Sequence, residues 1–280
     1  MDKMLDNFIA IIVIYNKELY RSETLKSLGE DLEILGLELD LFIYDNSANK
    51  QEDFKMKGFN IVNHFWNGEN IGVSGAYNEG VKFANIHNKE WALLLDQDTL
   101  FENGAIFEYL KNINLCKDVN LFTPIIKIED GTIFSPFKKV FKRGVVLKKV
   151  SPVRYSLKNF SPVNSGILVR ISSFLEAGGY NKNVKLDFSD IEFIRKFAKY
   201  NKEFKVVDTS CIQDFSNSET DANKLNVRFD YFCDGIKNCE RNNLYEHLQF
   251  FIIVFLRMGI LIARTRKIIF IKTFYNSYLK

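Results

Sequence analysis

Phe8-Ile9-Ala10-Ile11-Ile12-Val13-Ile14-Tyr15 is an unbroken apolar run, rich in β-branched residues, that gives way to Asn16. Such a run reads as a strand buried on both faces, as inside a parallel sheet. Outward from it the pattern alternates. Glu18 to Leu37 places Leu25, Leu28, Leu32 and Leu35 at helical spacing, which predicts an amphipathic helix. Leu39 to Tyr44 predicts a second strand and Asn60 to His64 a third. Ser74 to His87 predicts a helix, and Trp91 to Leu95 a fourth strand that ends at Asp96. This is the rhythm of an open α/β sheet, in which ligands bind beyond the carboxyl ends of the strands. Polar residues stand at those ends: Tyr15-Asn16, Asp45-Asn46-Ser47 and Asp96-Gln97-Asp98.

The second half is less regular. Leu121–Ile128, Gly144–Val150, Val163–Val169 and Phe204–Val207 read as strands, and Ser189–Tyr200 as a helix. Lys138, Lys139, Lys142, Arg143, Lys148 and Lys149 make a basic stretch, read first as a solvated hairpin or loop and second as a surface for anionic lipid or a phosphate-bearing substrate. Leu244 to Ile271 differs in kind. Its apolar stretch is broken by Arg257, falls short of the ~20 residues a spanning helix needs, and is followed by Arg264, Arg266, Lys267 and Lys272. An amphipathic helix in the membrane interface fits this pattern; so does a helix packed on the protein's own core or in a homodimer.

Composition narrows the classes. The 280 residues are 46% hydrophobic and 26% charged, with 4 Pro and 15 Gly, which excludes a disordered or low-complexity chain. Lys and Arg total 38 against 35 Asp and Glu, a net charge of +3, too balanced to point to nucleic acid. The 4 Cys form no CxxC pair and His numbers 3, so no zinc set is expected and the thiols read as reduced and structural. No positive segment followed by an apolar one and a cleavage site opens the chain, so a secretory leader is not expected.

Four motifs carry chemistry. Asp96-Gln97-Asp98 follows a buried strand, and two carboxylates one residue apart suit a hard cation shared with diphosphate oxygens; the alternative is a solvated loop. Asn70-Ile71-Gly72 through Asn78-Glu79-Gly80 has small residues that let a helix start approach a ligand or another backbone closely, without the spacing of a P-loop or dinucleotide fingerprint. Asp45 can accept a hydrogen bond from a base or ribose, or serve the turn. Asp190 opens a helix whose dipole favours an ionised acid, as a general base requires. Ser189 and Glu192 have the spacing of a capping box, which would make Asp190 a first-turn acid only.

In this order the pieces resemble family 2 glycosyltransferases of the GT-A fold, most of all the bacterial rhamnosyltransferase-like group. The resemblance runs from about Ile9 to Asp214. It rests on Tyr15-Asn16, Asp45-Asn46-Ser47, Asn70-Ile71-Gly72, Asn78-Glu79-Gly80, Asp96-Gln97-Asp98, Asn164-Ser165-Gly166, Gly178-Gly179-Tyr180 and Asp190 to Arg195. It implies an α/β GT-A catalytic domain over 1–222, with a nucleotide-sugar half (1–100) and an acceptor half (101–222), and a helical segment over 223–280. It implies an inverting, Mn²⁺- or Mg²⁺-dependent transfer from a dTDP- or UDP-sugar to a glycan or lipid-linked acceptor of a cell-surface polysaccharide. The protein would be cytoplasmic, at the inner face of a bacterial membrane, touching it through 244–272.

The same resemblance assigns roles. Tyr15, Asn16, Asp45, Asn70, Gly72, Asn78, Asp96, Gln97, Ser165 and Gly166 would form the donor site, with Asp45 at the base and Ser165 and Gly166 at the sugar. Asp98, with Asp96, would hold the metal, and Asp190 would be the base. Relatives often carry a His after the last strand; here the stretch reads Cys211-Ile212-Gln213-Asp214, so Asp214 or water would take that ligand's place. Two other readings compete: a non-catalytic GT-A-like subunit that docks a partner enzyme at the membrane, and a nucleotidyltransferase, which would need a Gly-rich basic loop that Tyr15-Asn16-Lys17-Glu18 lacks.

Overall fold

The computed structural model describes residues 5–52, 54–213 and 220–280. Its strands are β1 (Phe8–Ile14), β2 (Leu39–Asp45), β3 (Phe59–Trp66), β4 (Trp91–Asp96), β5 (Thr99–Phe101), β6 (Leu121–Lys127), β7 (Ile133–Ser135), β8 (Phe137–Val140), β9 (Arg143–Val145), β10 (Arg154–Ser156), β11 (Phe160–Ser161), β12 (Ile167–Arg170) and β13 (Glu203–Gln213). The α-helices are α1 (Glu23–Leu35), α2 (Gly72–Ile86), α3 (Ala105–Leu115), α4 (Ile171–Glu176), α5 (Ser189–Phe197), α6 (Ala222–Asn238), α7 (Leu244–Thr265) and α8 (Ile269–Thr273).

The main sheet runs β10-β13-β6-β12-β4-β1-β2-β3. β3, β2, β1 and β4 are parallel neighbours. Their order reverses between β1 and β4, which opens a crevice at the carboxyl ends of those two strands. β1 lies inside the sheet with all but Val13 buried, as its continuous apolar run requires. β12 enters antiparallel between β4 and β6, pairing Leu168 with Leu93 and with Phe122. One face of the sheet packs on α1 and α3 through Leu25, Leu28, Leu32 and Leu110. The other packs on α2 and α5 through Tyr77, Val81, Phe193 and Phe197. Leu25, Leu28 and Leu32 are fully buried, a gain of roughly 2 kcal/mol each.

Several boundaries differ from the sequence reading, each for a local reason. The first helix starts at Glu23, because Ser22 Oγ accepts from Leu25 N and residues 19–21 form a 3₁₀ turn ahead of it. Gly36, at φ 65, ends it. The strand expected over 163–169 begins at Ile167, because Asn164-Ser165-Gly166 is a turn closed by Ile167 N on Asn164 O, with Gly166 at φ 75. The strand expected over 144–150 stops at Val145. β13 extends to Gln213 through a register shift between Val206 and Ser210, an irregularity that interrupts its alternation and hides its length in sequence. The basic stretch folds as the hairpin β8–β9. Phe141 and Lys142 take φ 48 and 58 between paired Val140 and Arg143, the positive φ at both central residues that a two-residue type I′ turn requires.

The C-terminal helices enclose a separate core of Phe229, Cys233, Phe250, Val254, Phe270 and Phe274, which Val184 of the main body joins. α7 is longer than the apolar stretch suggested: 22 residues, with mean hydropathy 1.8 over its most apolar window, enough by length and composition to cross a membrane. Only 33% of that window is buried in the protein. Phe250, Ile253, Val254, Met258 and Leu261 face the core, while Leu248, Phe251, Phe255, Leu256 and Ile260 are exposed.

Candidate active site

The crevice between β1 and β4 is closed by side chains that tie the strand ends together. Gln97 clamps the end of β1: its Oε1 accepts from Tyr15 N at 2.9 Å and its Nε2 donates to Tyr15 O at 3.2 Å. Asn16, at φ 50, donates its N–H to Ser47 Oγ. Thr24 Oγ1 donates to Asp96 O and accepts from Thr99 N, so the backbone turn of Asp96-Gln97-Asp98 is fastened to α1. Gln97 is thus a positioning residue for the backbone of Tyr15, whose side chain is exposed.

Asp96 and Asp98 meet over one amide. Gln213 Nε2, at the end of β13, lies 3.2 Å from Asp96 Oδ2 and 3.4 Å from Asp98 Oδ1. Asp96 Oδ1 also accepts from Tyr77 OH at 2.8 Å. Burial and then the Asp98 charge push the Asp96 carboxyl up to about 6, against the hydrogen bonds from Tyr77 and Gln213 that favour its ionised form. Burial also raises Asp98, while Gln213 and the Lys17 charge pull the other way. Two carboxylates that oppose each other's ionisation and share a single amide donor suit a hard divalent cation, which takes oxygen ligands and relieves that repulsion. Among the described residues no third carboxylate, His or Cys joins them. Asp214, named as an alternative ligand, lies outside the described residues.

Asp190 stands on the acceptor side. The capping box expected of Ser189 and Glu192 is absent: Phe188, at φ 71, precedes α5 and supplies no side-chain cap. Ser189 Oγ instead accepts from Asn164 Nδ2 at 3.1 Å, and Glu192 Oε1 accepts from Glu240 N at 2.7 Å. Freed from a capping box, Asp190 Oδ1 accepts from Ile191 N at 2.7 Å. Burial pushes its carboxyl up to about 6; the Ile191 N–H lowers it, and the Asp187 and Asp96 charges raise it. Hydrogen bonds at its two ends and a ring contact in its middle make a chain that joins this side to the carboxylate pair. Tyr180 OH donates to Asn164 Oδ1 at 2.7 Å, the Tyr180 and Tyr77 rings lie 5.6 Å apart, and Tyr77 OH reaches Asp96.

Other expected donor residues are placed less directly. Asp45 is fully buried, with Oδ1 accepting from Ser47 N and Oδ2 from Gln51 N; its carboxylate shapes the loop after β2, as turn chemistry predicts. Asn78 also holds backbone. Both ends of its amide hold the backbone of Tyr180, at 2.8 and 2.9 Å. Asn70 Oδ1 accepts from Gly72 N. Gly72 sits at φ 75 where a Cβ would meet Lys185 O at 2.5 Å, so its glycine serves a close backbone approach. Ser165 is buried against Thr99 Oγ1, and Gly166 holds Tyr109 OH on its carbonyl at 2.6 Å. Gln213, Tyr77 and Asn164 are the residues that sequence reasoning left without a role. Their polar atoms acquire one only where β13, α2 and the turn before β12 converge.

A family model described as Glycosyl transferase family 2 matches residues 9–174. The dTDP-rhamnosyl transferase RfbF of Shigella flexneri is 23% identical over 201 residues, which span 70% of this chain and 65% of that protein. A crystal structure of GalNAc-T7 with UDP, GalNAc and Mn²⁺ superposes at a TM-score of 0.53 and 12% identity, over 88% of this chain and 54% of that one. The second likeness is one of fold, and the chain is shorter than both proteins.

Proposed function

This chain belongs to glycosyl transferase family 2, and from that premise we propose that it is an inverting glycosyltransferase using a nucleotide-diphosphate sugar. The observation that carries the reading is the meeting of Asp96 and Asp98 over Gln213 at the β1/β4 crevice, with Asp190 close enough to Asp96 to feel its charge. Asp98 and Asp96 would hold Mn²⁺ or Mg²⁺, which when bound supplies positive charge for the departing diphosphate. Tyr15, Asn16, Asn70 and Gly72 rim the donor side. Asp45, Gln97, Asn78, Ser165 and Gly166 fix the loops that shape it. The Asp190 carboxylate takes the proton from an acceptor hydroxyl as that oxygen bonds to the anomeric carbon. The bond from that carbon to the diphosphate oxygen breaks, leaving nucleoside diphosphate and an inverted glycosidic linkage.

A dTDP- or UDP-linked donor and rhamnose as the sugar are the favoured assignment, supported by the likeness to the rhamnosyl transferase. The acceptor is a glycan or lipid-linked glycan of a cell-surface polysaccharide such as O-antigen or capsule, met at the cytoplasmic face of the membrane. Residues 1–222 form the catalytic part. The helices over 223–280 form the part that touches the membrane through 244–272, supported by the exposed apolar face of α7.

Thermal shift with UDP, dTDP and GDP, each with and without Mn²⁺, tests the donor site. Ligand at ~100 Kd stabilises the native state by about 2.7 kcal/mol. One nucleotide class should raise Tm in a metal-dependent way, and Asp98→Ala should abolish the shift. No shift with any nucleotide would overturn the catalytic reading in favour of a non-catalytic docking subunit.

A further inference from the structure

Phe188 holds a backbone conformation that its side chain disfavours. It stands at φ 71, ψ −1, immediately before α5, and its carbonyl accepts from Glu192 N at 3.0 Å to close the first turn of that helix. A bulky residue is strained in the left-handed region, which Gly, Asn and Asp enter more readily. Such strain persists only where the surroundings hold it, and it gathers at functional sites. Asp190, the candidate base, lies two residues on.

The hold comes from α6. Arg228, Phe232 and Gly235 recur at i, i+4 and i+7, so they share one face of that helix, and each meets the segment just before Asp190. Arg228 Nη2 donates to Asp187 Oδ1 at 3.2 Å. The Phe232 ring stands edge-on to Phe188, with centroids 5.1 Å apart and planes at 66°. Gly235 lets α6 come so near that a Cβ there would meet Asp187 O at 2.5 Å. A second stripe of α6, Phe229, Cys233 and Ile236, is buried in the C-terminal core, which anchors the helix behind its gripping face.

The chain on the other side of Asp190 is held as well. Glu192, buried and two residues past Asp190, accepts at Oε1 from Glu240 N at 2.7 Å, just beyond the end of α6. Asn181 Nδ2 donates to Asn238 O at 3.1 Å. Asp190 thus sits between two residues that the C-terminal segment fixes. Its own hydrogen bond, from the adjacent Ile191 N–H, turns with the local backbone and cannot orient it against the rest of the site. Relaxation of Phe188 from φ 71 to an ordinary value of about −60° would turn the start of α5 and carry the carboxylate with it.

We infer that α6 belongs to the catalytic apparatus, with Phe232 as a positioning residue for Asp190: its ring holds Phe188 in the left-handed conformation that sets the direction of the base. This rests on the glycosyltransferase reading and adds a helix beyond residue 222 to the catalytic part.

Hydrogen exchange and donor turnover of the full chain test it. In Phe232→Ala the amides of 187–194 should exchange faster while those of β1 and β4 keep the parent's rates. Release of dTDP from dTDP-rhamnose with Mn²⁺, water serving as acceptor, reads the base without a glycan. Its kcat should fall on the order of a hundredfold, the cost of about 1 Å of misplacement. Donor KM and the nucleotide-dependent Tm shift should stay unchanged, because the donor crevice lies at β1 and β4. Phe232→Tyr keeps the ring and should recover most of the rate. In an Asp190→Asn background Phe232→Ala should cost little more, since a residue that acts through the base then has nothing to act on. If Phe232→Ala does not fold, Phe232→Leu, which keeps bulk and loses the ring edge, carries the same comparisons with a smaller fall. An equal fall in both backgrounds, a joint loss of kcat and the nucleotide shift, or unchanged exchange over 187–194 would overturn the inference. Where water is too poor an acceptor to give a rate, the exchange result decides alone. The parent protein separates the failures. With its nucleotide shift present and the Phe232 arms flat, only this inference falls; with no shift for any nucleotide, the catalytic reading falls first.

Discussion

Asp190→Asn should leave the protein more stable and nearly inactive, and the two effects should follow pH together. The Asp190 carboxyl titrates at about 6 in the fold against 3.8 for the ordinary side chain. The difference, 6 minus 3.8, is about 2 pH units, or at most about 3 kcal/mol at ~1.36 kcal/mol per unit. Between those two pH values the folded chain binds the proton more tightly than the unfolded chain, so stability falls as pH rises from about 4 to about 6 and stays lower above it. Asparagine keeps an oxygen for the Ile191 N–H, now at 2.7 Å, and carries no charge to desolvate. At pH 7.5 the variant should therefore gain up to about 3 kcal/mol, a Tm rise of roughly 5 °C, and at pH 4 the two proteins should melt alike. Transfer activity should drop about 10²–10⁴-fold, the worth of a general base, and kcat/KM of the parent should fall below pH ~6 as the base is protonated. Paired melting curves from pH ~4 to ~8, a range that contains the window between the two titrations and the plateau above it, and initial rates with the donor found by thermal shift measure both. A pH-independent Tm difference would refute the desolvation account. A stabilised variant with rates within a few-fold of the parent would remove Asp190 from the proton transfer.

Other outcomes follow from neighbouring contacts. Tyr77→Phe deletes the hydroxyl that donates to Asp96 and should cost about 1.5–3 kcal/mol in urea melts at pH 8, with less at pH 5 where Asp96 is protonated. Gln213→Leu leaves Asp96 and Asp98 opposed without their shared amide; it should lower Tm more at pH 8 than at pH 5, and millimolar Mg²⁺ should restore part of the loss if the pair binds a hard cation. Gly235→Ala puts a methyl 2.5 Å from Asp187 O and should destabilise by about 1–3 kcal/mol, with faster proteolysis at the junction of α6 and the main body.

The sequence by itself determined the sheet and the place of its functional end. β1 and β4 are continuous apolar runs because both of their faces are buried, and that burial leaves the strand ends as the place for polar chemistry. Asp96, Asp98 and Asp190 are legible for that reason: each is a charged residue at the boundary of an apolar element. Tertiary structure alone decided which polar side chains serve the site and which serve the scaffold. Asn78 and Asp45 look like ligand contacts in sequence, and in the fold they also hold backbone, more than a hundred residues away for one and a few residues away for the other. Gln213 has no local signal, and its amide acquires a role because the irregular β13 delivers it between two carboxylates 117 and 115 residues away in sequence. Likewise Arg228 and Arg257 are scattered basic residues until two helices bring them to Asp187. Hydrophobic periodicity records which face of an element is buried, and that is local information. A hydrogen bond or a charge cluster depends on which distant segment arrives opposite, and only the packed chain fixes that.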